Sequence, residues 1–239
     1  MKKFVLSAVF LGVSMLVSRA IASTVLIVGD STVSSYETSL PFRGWGQLLA
    51  MWAKPDTHVC NLAVSGTSSK SFKDRGLWAK ALLEKPNYVF IQFGHNDINP
   101  TVDRGTQPET TFRDNLEFYI KESRDLGAVP VLVTPPVRRV YQDGKLVHEK
   151  LLPYVEAMKS VGATENVPVV DLYGDSFQYF SKQSLEDAQK EVSPKEGDLT
   201  HFNERGATLL ASMILERLHD IAPEIAALFQ APENAGAAH

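Results

Sequence analysis

The sequence predicts an α/β fold in which a parallel sheet is covered by helices on both faces. Two observations carry this prediction. Short runs of apolar, β-branched and aromatic residues read as fully buried strands at 24–28, 88–93 (YVFIQF), 129–134 (VPVLVT) and 167–172 (VPVVDL), with 58–62 a weaker fifth. Between them, apolar residues recur at helical spacing: Phe112, Leu116, Tyr119 and Ile120; then Tyr154, Ala157, Met158 and Val161 just after Pro153; then Ala207, Leu210, Ala211, Ile214 and Leu218. Buried strands alternating with amphipathic helices imply a parallel sheet with both faces covered.

The first 22 residues stand apart from this pattern. Lys2 and Lys3 precede a nearly unbroken apolar run from Phe4 to Val17, and Ala20-Ile21-Ala22 supplies the small residues of a signal-peptidase site. This order predicts a secretory signal, a mature chain starting near Ser23, and export to a bacterial periplasm or exterior. A retained anchor is the alternative, but the run is short for a membrane span. Residues 23–232 are then expected to form one domain, and the small, polar stretch 233–239 to fray.

Removing Lys2, Lys3 and Arg19 with the leader takes the formal charge from −4 to −7. An acidic chain without a basic stripe is a poor partner for nucleic acid. The single cysteine, Cys60, has no intramolecular disulfide partner, and its apolar neighbours suggest a buried strand residue rather than a nucleophile.

In open α/β sheets reactive groups collect where loops leave the carboxyl ends of strands. Four clusters are expected at such positions. Gly29-Asp30-Ser31-Thr32 follows the first strand; a serine there can act as a nucleophile, or the segment can be an ordinary turn or cap. Asn61 to Ser69 contains Gly66, whose N–H could face an oxyanion, or whose role is only a positive φ. Gly94-His95-Asn96-Asp97 offers the Asn96 amide as an uncharged donor, or is simply a polar loop. His95 and Asp97 are of types that ligate metals, yet no His or Cys cluster at ligand spacing supports a metal site. Asp198-Leu199-Thr200-His201 pairs a base with an orienting carboxylate, or serves as a loop before a helix capped by Asn203. Each cluster alone is ambiguous. Together they supply nucleophile, base, orienter and oxyanion donors, the full set for acyl transfer.

These four segments resemble the conserved blocks of the SGNH (GDSL-like) hydrolase family, whose name-giving residues fall on Ser31, Gly66, Asn96 and His201. The resemblance runs from about Val25 to Leu218. Gly-Asp-Ser-Thr in the first block, Phe-Gly-His-Asn-Asp in the third and Asp-Leu-Thr-His-Phe-Asn in the last are most similar to the rhamnogalacturonan acetylesterase branch. It implies a flavodoxin-like three-layer α/β/α fold with a central, mostly parallel five-stranded sheet. It implies a Ser31–His201–Asp198 triad, an oxyanion hole from the Ser31 and Gly66 N–H groups and the Asn96 amide, and no metal or other cofactor. The implied substrate is an acetylated cell-wall polysaccharide, most of all pectic rhamnogalacturonan.

Pectic backbones are acidic, so Arg43, Lys70, Lys73, Arg138 and Arg139 are candidate substrate contacts, or else solvated surface charges. Phe42, Trp45 and Phe72 could stack on sugar rings or belong to the core. Two other functions use the same sequence. A lipase or thioesterase would need an acyl-chain tunnel, for which no long apolar loop is seen near the motifs. A noncatalytic carbohydrate-binding protein would have no need of the complete site.

Overall fold

The computed structural model describes residues 23–230; the expected leader and frayed tail lie outside the described residues. Strands β1 (Ser23–Gly29), β2 (Thr57–Asn61), β3 (Tyr88–Gln92) and β4 (Val129–Val133) occur where apolar runs predict them. A small antiparallel hairpin, β5 (Tyr141–Gln142) and β6 (Lys145–Leu146), precedes the short strand β7 (Val169–Val170). β7 is shorter than its sequence run because Asp171 accepts a hydrogen bond from the Gly174 N–H (3.1 Å), capping the next helix and ending the strand.

The main sheet has the order β2-β1-β3-β4-β7, and every pair is parallel. This is the doubly wound order in which the direction of winding reverses between β1 and β3, leaving a crevice at their carboxyl ends. The expected three-layer α/β/α architecture is therefore what the chain adopts. Alternate strand residues face opposite layers, which explains why the strands are apolar throughout. Val25, Ile27, Phe90, Val131 and Val133 pack into one core, while Leu26, Val28, Val89, Ile91 and Leu132 pack into the other.

The first core is closed by α1 (Trp45–Met51) and by three later helices, α6 (Leu172–Phe180), α7 (Leu185–Val192) and α8 (Glu204–Ile221). The second is closed by α2 (Ser69–Asp74), α3 (Leu77–Ala81), α4 (Arg113–Asp125) and α5 (Leu152–Glu165). The three predicted apolar stripes fall on α4 (with Phe112 in the turn that leads into it), α5 and α8, and their residues are buried. A single π-turn (Pro108–Phe112) leads into α4, and a short α9 (Pro223–Ala226) follows α8. Among the described residues, no helix is long and apolar enough to cross a membrane.

Candidate active site

Ser31 leaves the sheet directly after β1. A Cβ on Gly29 would lie 2.7 Å from both the Gln92 carbonyl oxygen and Val33 Cγ2, so only glycine lets the chain turn this close to β3. Asp30 then folds the turn over itself. Its Oδ1 accepts from the Thr32 N–H (2.9 Å) and hydroxyl (2.8 Å), and its carbonyl accepts from the Val33 and Ser34 N–H groups. The turn reading and the nucleophile reading of this segment are thus compatible. Ser31 is 7% exposed, and its Oγ lies 3.0 Å from Nε2 of His201.

His201 Nδ1 in turn lies 3.0 Å from Asp198 Oδ2. The other carboxylate oxygen, Oδ1, accepts from the backbone N–H groups of Thr200 (2.9 Å) and His201 (2.8 Å). Burial works to raise the Asp198 pKa, but these two N–H bonds and the imidazole outweigh it and hold the group below the usual carboxylate value. An ionised Asp198 only accepts, so His201 donates to it from Nδ1 and turns Nε2 to the Ser31 hydroxyl. The Asp198 side chain is 8% exposed and that of His201 34%, so the carboxylate is sheltered while the imidazole borders open space. Asn203 also caps α8, accepting from the Gly206 N–H at 3.0 Å, so the capping reading and the base–orienter reading of this loop are compatible.

The fourth expected cluster does not follow a strand. The Ser31, Gly66 and Asn96 loops follow β1, β2 and β3, but the loop bearing Asp198 and His201 follows α7 and not a strand. The residues between β7 and that loop form α6 and α7, so the base and its orienter reach the crevice from the helical layer.

Gly66 has φ = 79°, and a Cβ there would meet nothing within 4 Å; conformation, rather than space, calls for glycine. Its loop is tied to the one bearing Asn96. The Asn96 amide donates one N–H to the Thr67 carbonyl (2.9 Å), leaving the second uncommitted. Among the described residues, the N–H groups of Ser31 and Gly66 donate to no protein acceptor. The three donors expected to receive an oxyanion are therefore those left unspent. Asp97 reinforces the tie by accepting from the Ser69 hydroxyl (2.5 Å) and the Thr106 hydroxyl (3.1 Å). Burial pushes Asp97 up to about 6 against those hydrogen bonds, with the Asp30 charge adding to the rise.

Residues 27–209 match the GDSL-like Lipase/Acylhydrolase family. The "Probable rhamnogalacturonan acetylesterase YesY" of Bacillus subtilis is 34% identical over 205 residues, covering 84% of this chain and 94% of that protein. The rhamnogalacturonan acetylesterase RhgT of the same organism is 32% identical over 212 residues, covering 82% and 90%. The chain belongs to the GDSL-like lipase/acylhydrolase family. It is a carboxylic ester hydrolase of the rhamnogalacturonan acetylesterase-like branch. A solved acetylxylan esterase, Axe2 of Geobacillus stearothermophilus, shares the fold at a TM-score of 0.64 and 18% identity, covering 82% of this chain and 94% of that one.

In this GDSL-like hydrolase most of the basic and aromatic candidates have other employment. Arg139 is fully buried, which removes it from the list of substrate contacts. Trp45 and Phe72 are likewise 0% exposed and belong to the core. Arg43 spends its guanidinium on the carbonyls of Thr38, Leu40 and Phe42. Lys70 reaches the Val102 carbonyl and Asp74, and Lys73 the Asn115 side chain. Arg138 stays by the site, its Nε donating to the Thr200 hydroxyl at 3.1 Å. Phe42 remains half-buried, edge-on to the His201 ring with centroids 5.6 Å apart.

His95 serves the scaffold. Its Nε2–H donates to the Pro136 carbonyl (3.0 Å), and Nδ1 lies 3.3 Å from Asp30 Oδ2, tying the loops after β1, β3 and β4 together. Among the described residues, donors at metal-ligand spacing occur in His58, Cys60 and Glu84, within 4.8 Å of one another beside the edge strand β2. His58 and Cys60 stand in register with Thr24 and Leu26 of β1, before the strand end that Ser31 follows. Cys60 is half-buried rather than buried because β2 is an edge strand, and burial with Glu84 beside it pushes the thiol up to about 11. Such a thiol is a poor nucleophile, as expected.

Several supporting residues escape sequence reasoning. Gln92 lies fully buried in β3, accepting from the Trp45 indole (2.6 Å) and donating to the Thr32 hydroxyl (2.8 Å). A glutamine inside YVFIQF was the available signal, since a buried amide needs partners. Tyr36, whose hydroxyl donates to the Ser31 carbonyl at 2.7 Å, carried none.

Proposed function

We propose that this chain removes O-acetyl groups from acetylated polysaccharide, with pectic rhamnogalacturonan as its substrate, through a Ser31–His201–Asp198 acyl-enzyme mechanism. The observation that carries this reading is the continuous relay from Ser31 Oγ through both imidazole nitrogens to Asp198, each step 3.0 Å long. The likeness to RhgT and YesY over nearly the whole of both proteins supports the substrate class.

In the first step Ser31 Oγ attacks the acetyl carbonyl while His201 Nε2 takes the hydroxyl proton. Asp198 holds the imidazole in register and stabilises its cationic form. The Ser31 and Gly66 N–H groups and the free Asn96 N–H receive the oxyanion. The tetrahedral adduct collapses, the sugar oxygen takes the proton from His201, and acetyl-Ser31 remains. Water then attacks that ester with the same histidine as base, releasing acetate and restoring Ser31.

Ser31→Ala tests the chemistry. It is expected to abolish the burst of p-nitrophenol from p-nitrophenyl acetate and nearly all turnover, with the fold intact. A variant that still shows a stoichiometric burst would place the nucleophile elsewhere. We propose export by the same reading. Lys2 and Lys3, the apolar run after them and Ala20-Ile21-Ala22 support a leader cleaved after Ala22. Amino-terminal sequencing of protein recovered outside the cytoplasm should begin near Ser23; an uncleaved amino terminus would contradict this.

A further inference from the structure

We infer that Arg139 is a positioning residue for the catalytic base, a buried clamp by which the sheet holds the Asp198–His201 loop in register with Ser31. The inference rests on the triad proposed above. It starts from an asymmetry in how the site is supported. Ser31, Gly66 and Asn96 sit on loops that leave β1, β2 and β3, so hydrogen-bonded strands fix their backbones. Asp198 and His201 follow α7 across an irregular segment and have no strand behind them. Something else must set their position to within a few tenths of an ångström of Ser31.

Arg139 stands on the loop after β4, which is tied to α6 by the Val137 N–H donating to the Ser176 hydroxyl at 3.0 Å. Its backbone N–H donates to the Leu199 carbonyl at 2.8 Å, in the middle of the base-bearing loop. Its side chain then reaches both ends of the same segment. Nη2 donates to the Asp198 carbonyl at 3.0 Å, to the His201 carbonyl at 2.7 Å and to the Ser193 hydroxyl at 3.1 Å. Ser193 closes a small ring by donating to the Asp198 carbonyl at 2.8 Å. Among the described residues, no other group donates to the His201 carbonyl. The guanidinium is 4.4 Å from the centroid of Phe202 and 5.8 Å from that of Phe180, so aromatic faces cover what the carbonyls do not.

A stability role alone does not account for this arrangement. Arg139 is 0% exposed and forms no direct ion pair with a carboxylate among the described residues. Burying a guanidinium is costly, and its Nε and Nη1 find no hydrogen-bond partner among the described residues, yet an apolar side chain in its place would leave the His201 carbonyl without a donor. Burial lowers its pKa to about 10, opposed by the Asp198 charge, so the group remains a cation at neutral pH. What an apolar side chain cannot do is hold two carbonyls three residues apart from one nitrogen. Those carbonyls belong to the two residues whose side chains must align with Ser31.

The test compares Arg139→Met, Arg139→Lys and Ser193→Ala with the parent enzyme on p-nitrophenyl acetate, each normalised to active sites by burst titration. Arg139→Met is expected to lower kcat by roughly tenfold to a hundredfold, the cost of a misplacement on the order of 1 Å, with KM within about twofold. The far-downfield proton resonance of a histidine Nδ1–H bonded to carboxylate should weaken or vanish with it. Arg139→Lys, which keeps the charge but not the planar fork, should recover part of kcat. Ser193→Ala leaves Arg139 in place and guards against misfolding; it should lower kcat a few-fold at unchanged KM. Parental kcat per active site in Arg139→Met, with the downfield resonance retained, would overturn the inference. So would a loss of activity traced wholly to fewer active sites, with parental kcat in Ser193→Ala. If Ser31→Ala were as active as the parent, the triad itself would be wrong, a different failure from either of these.

Discussion

Replacing Asp198 by asparagine should cripple the enzyme while leaving its shape almost unchanged. The two side chains have the same outline, but the loop dictates which atom goes where. Two backbone N–H groups, from Thr200 and His201, point at Oδ1 at 2.9 and 2.8 Å. The asparagine carbonyl must take that position, since an amide N–H there would leave both donors unpaired at about 1–3 kcal/mol each. The amide nitrogen then falls at the Oδ2 position, 3.0 Å from His201 Nδ1. Facing a donor, Nδ1 must accept, so the ring proton moves to Nε2 and points at the Ser31 hydroxyl it should be deprotonating. In the serine-protease template the same tautomer error costs roughly 10⁴ in kcat. That is about 5 kcal/mol of barrier. Steady-state kcat on p-nitrophenyl acetate should fall by about that factor, with Tm changed little and KM nearly constant. Asp198→Ala, which frees the imidazole to take either tautomer, should be no worse than Asp198→Asn. Retention of kcat within about tenfold of the parent at equal stability would refute this reading of the loop.

Three further outcomes follow from the same geometry. Asn96→Ala removes one oxyanion donor and should lower kcat by roughly a hundredfold to a thousandfold; near-parental turnover on an acetate ester would remove Asn96 from that role. Asp97, fully buried, sits near 6 in the folded protein against an ordinary 3.8, so its contribution favours folding below about pH 4 and is lost as pH rises through about 6. Asp97→Asn should therefore flatten the pH dependence of stability between pH 4 and 7 by about 2–3 kcal/mol, read from denaturant midpoints; an unchanged slope would argue against the buried carboxyl. Trp45→Phe deletes the indole bond to Gln92 inside the core and should cost about 2–3 kcal/mol of stability, with KM for polysaccharide unaffected; the reverse pattern would return Trp45 to a role in stacking on sugar.

How much of this was legible in the sequence depended on whether the signal was local. Five strands and three helical stripes are written in side-chain periodicity, and the structure places them there, with β7 cut from six expected residues to two. The hairpin after β4 carries a readable signal too, Asp143-Gly144 with φ of 49° and 76° at its tip. α6 and α7 were harder, because their short apolar faces are completed only by packing on α8 and the sheet. At the site, residue types and order were enough to gather Ser31, Gly66, Asn96, Asp198 and His201. Their supports were not legible, since Arg139, Gln92 and Tyr36 act through contacts spanning 62, 60 and 5 residues that no spacing rule predicts. Arg139 shows the limit most clearly. A pair of arginines after a strand reads as surface charge, and only the packing of Phe180, Phe202 and the His201 loop turns one of them inward.

Substrate and nucleophile are tested together by acetate release from a matched panel of acetylated rhamnogalacturonan, acetylated xylan and simple acetylated sugars, with the Ser31→Ala protein as control. Release from rhamnogalacturonan should be well above that from the other substrates, and Ser31→Ala should release none from any of them. Release from xylan but not rhamnogalacturonan would contradict the substrate, and release that survives loss of Ser31 would contradict the mechanism.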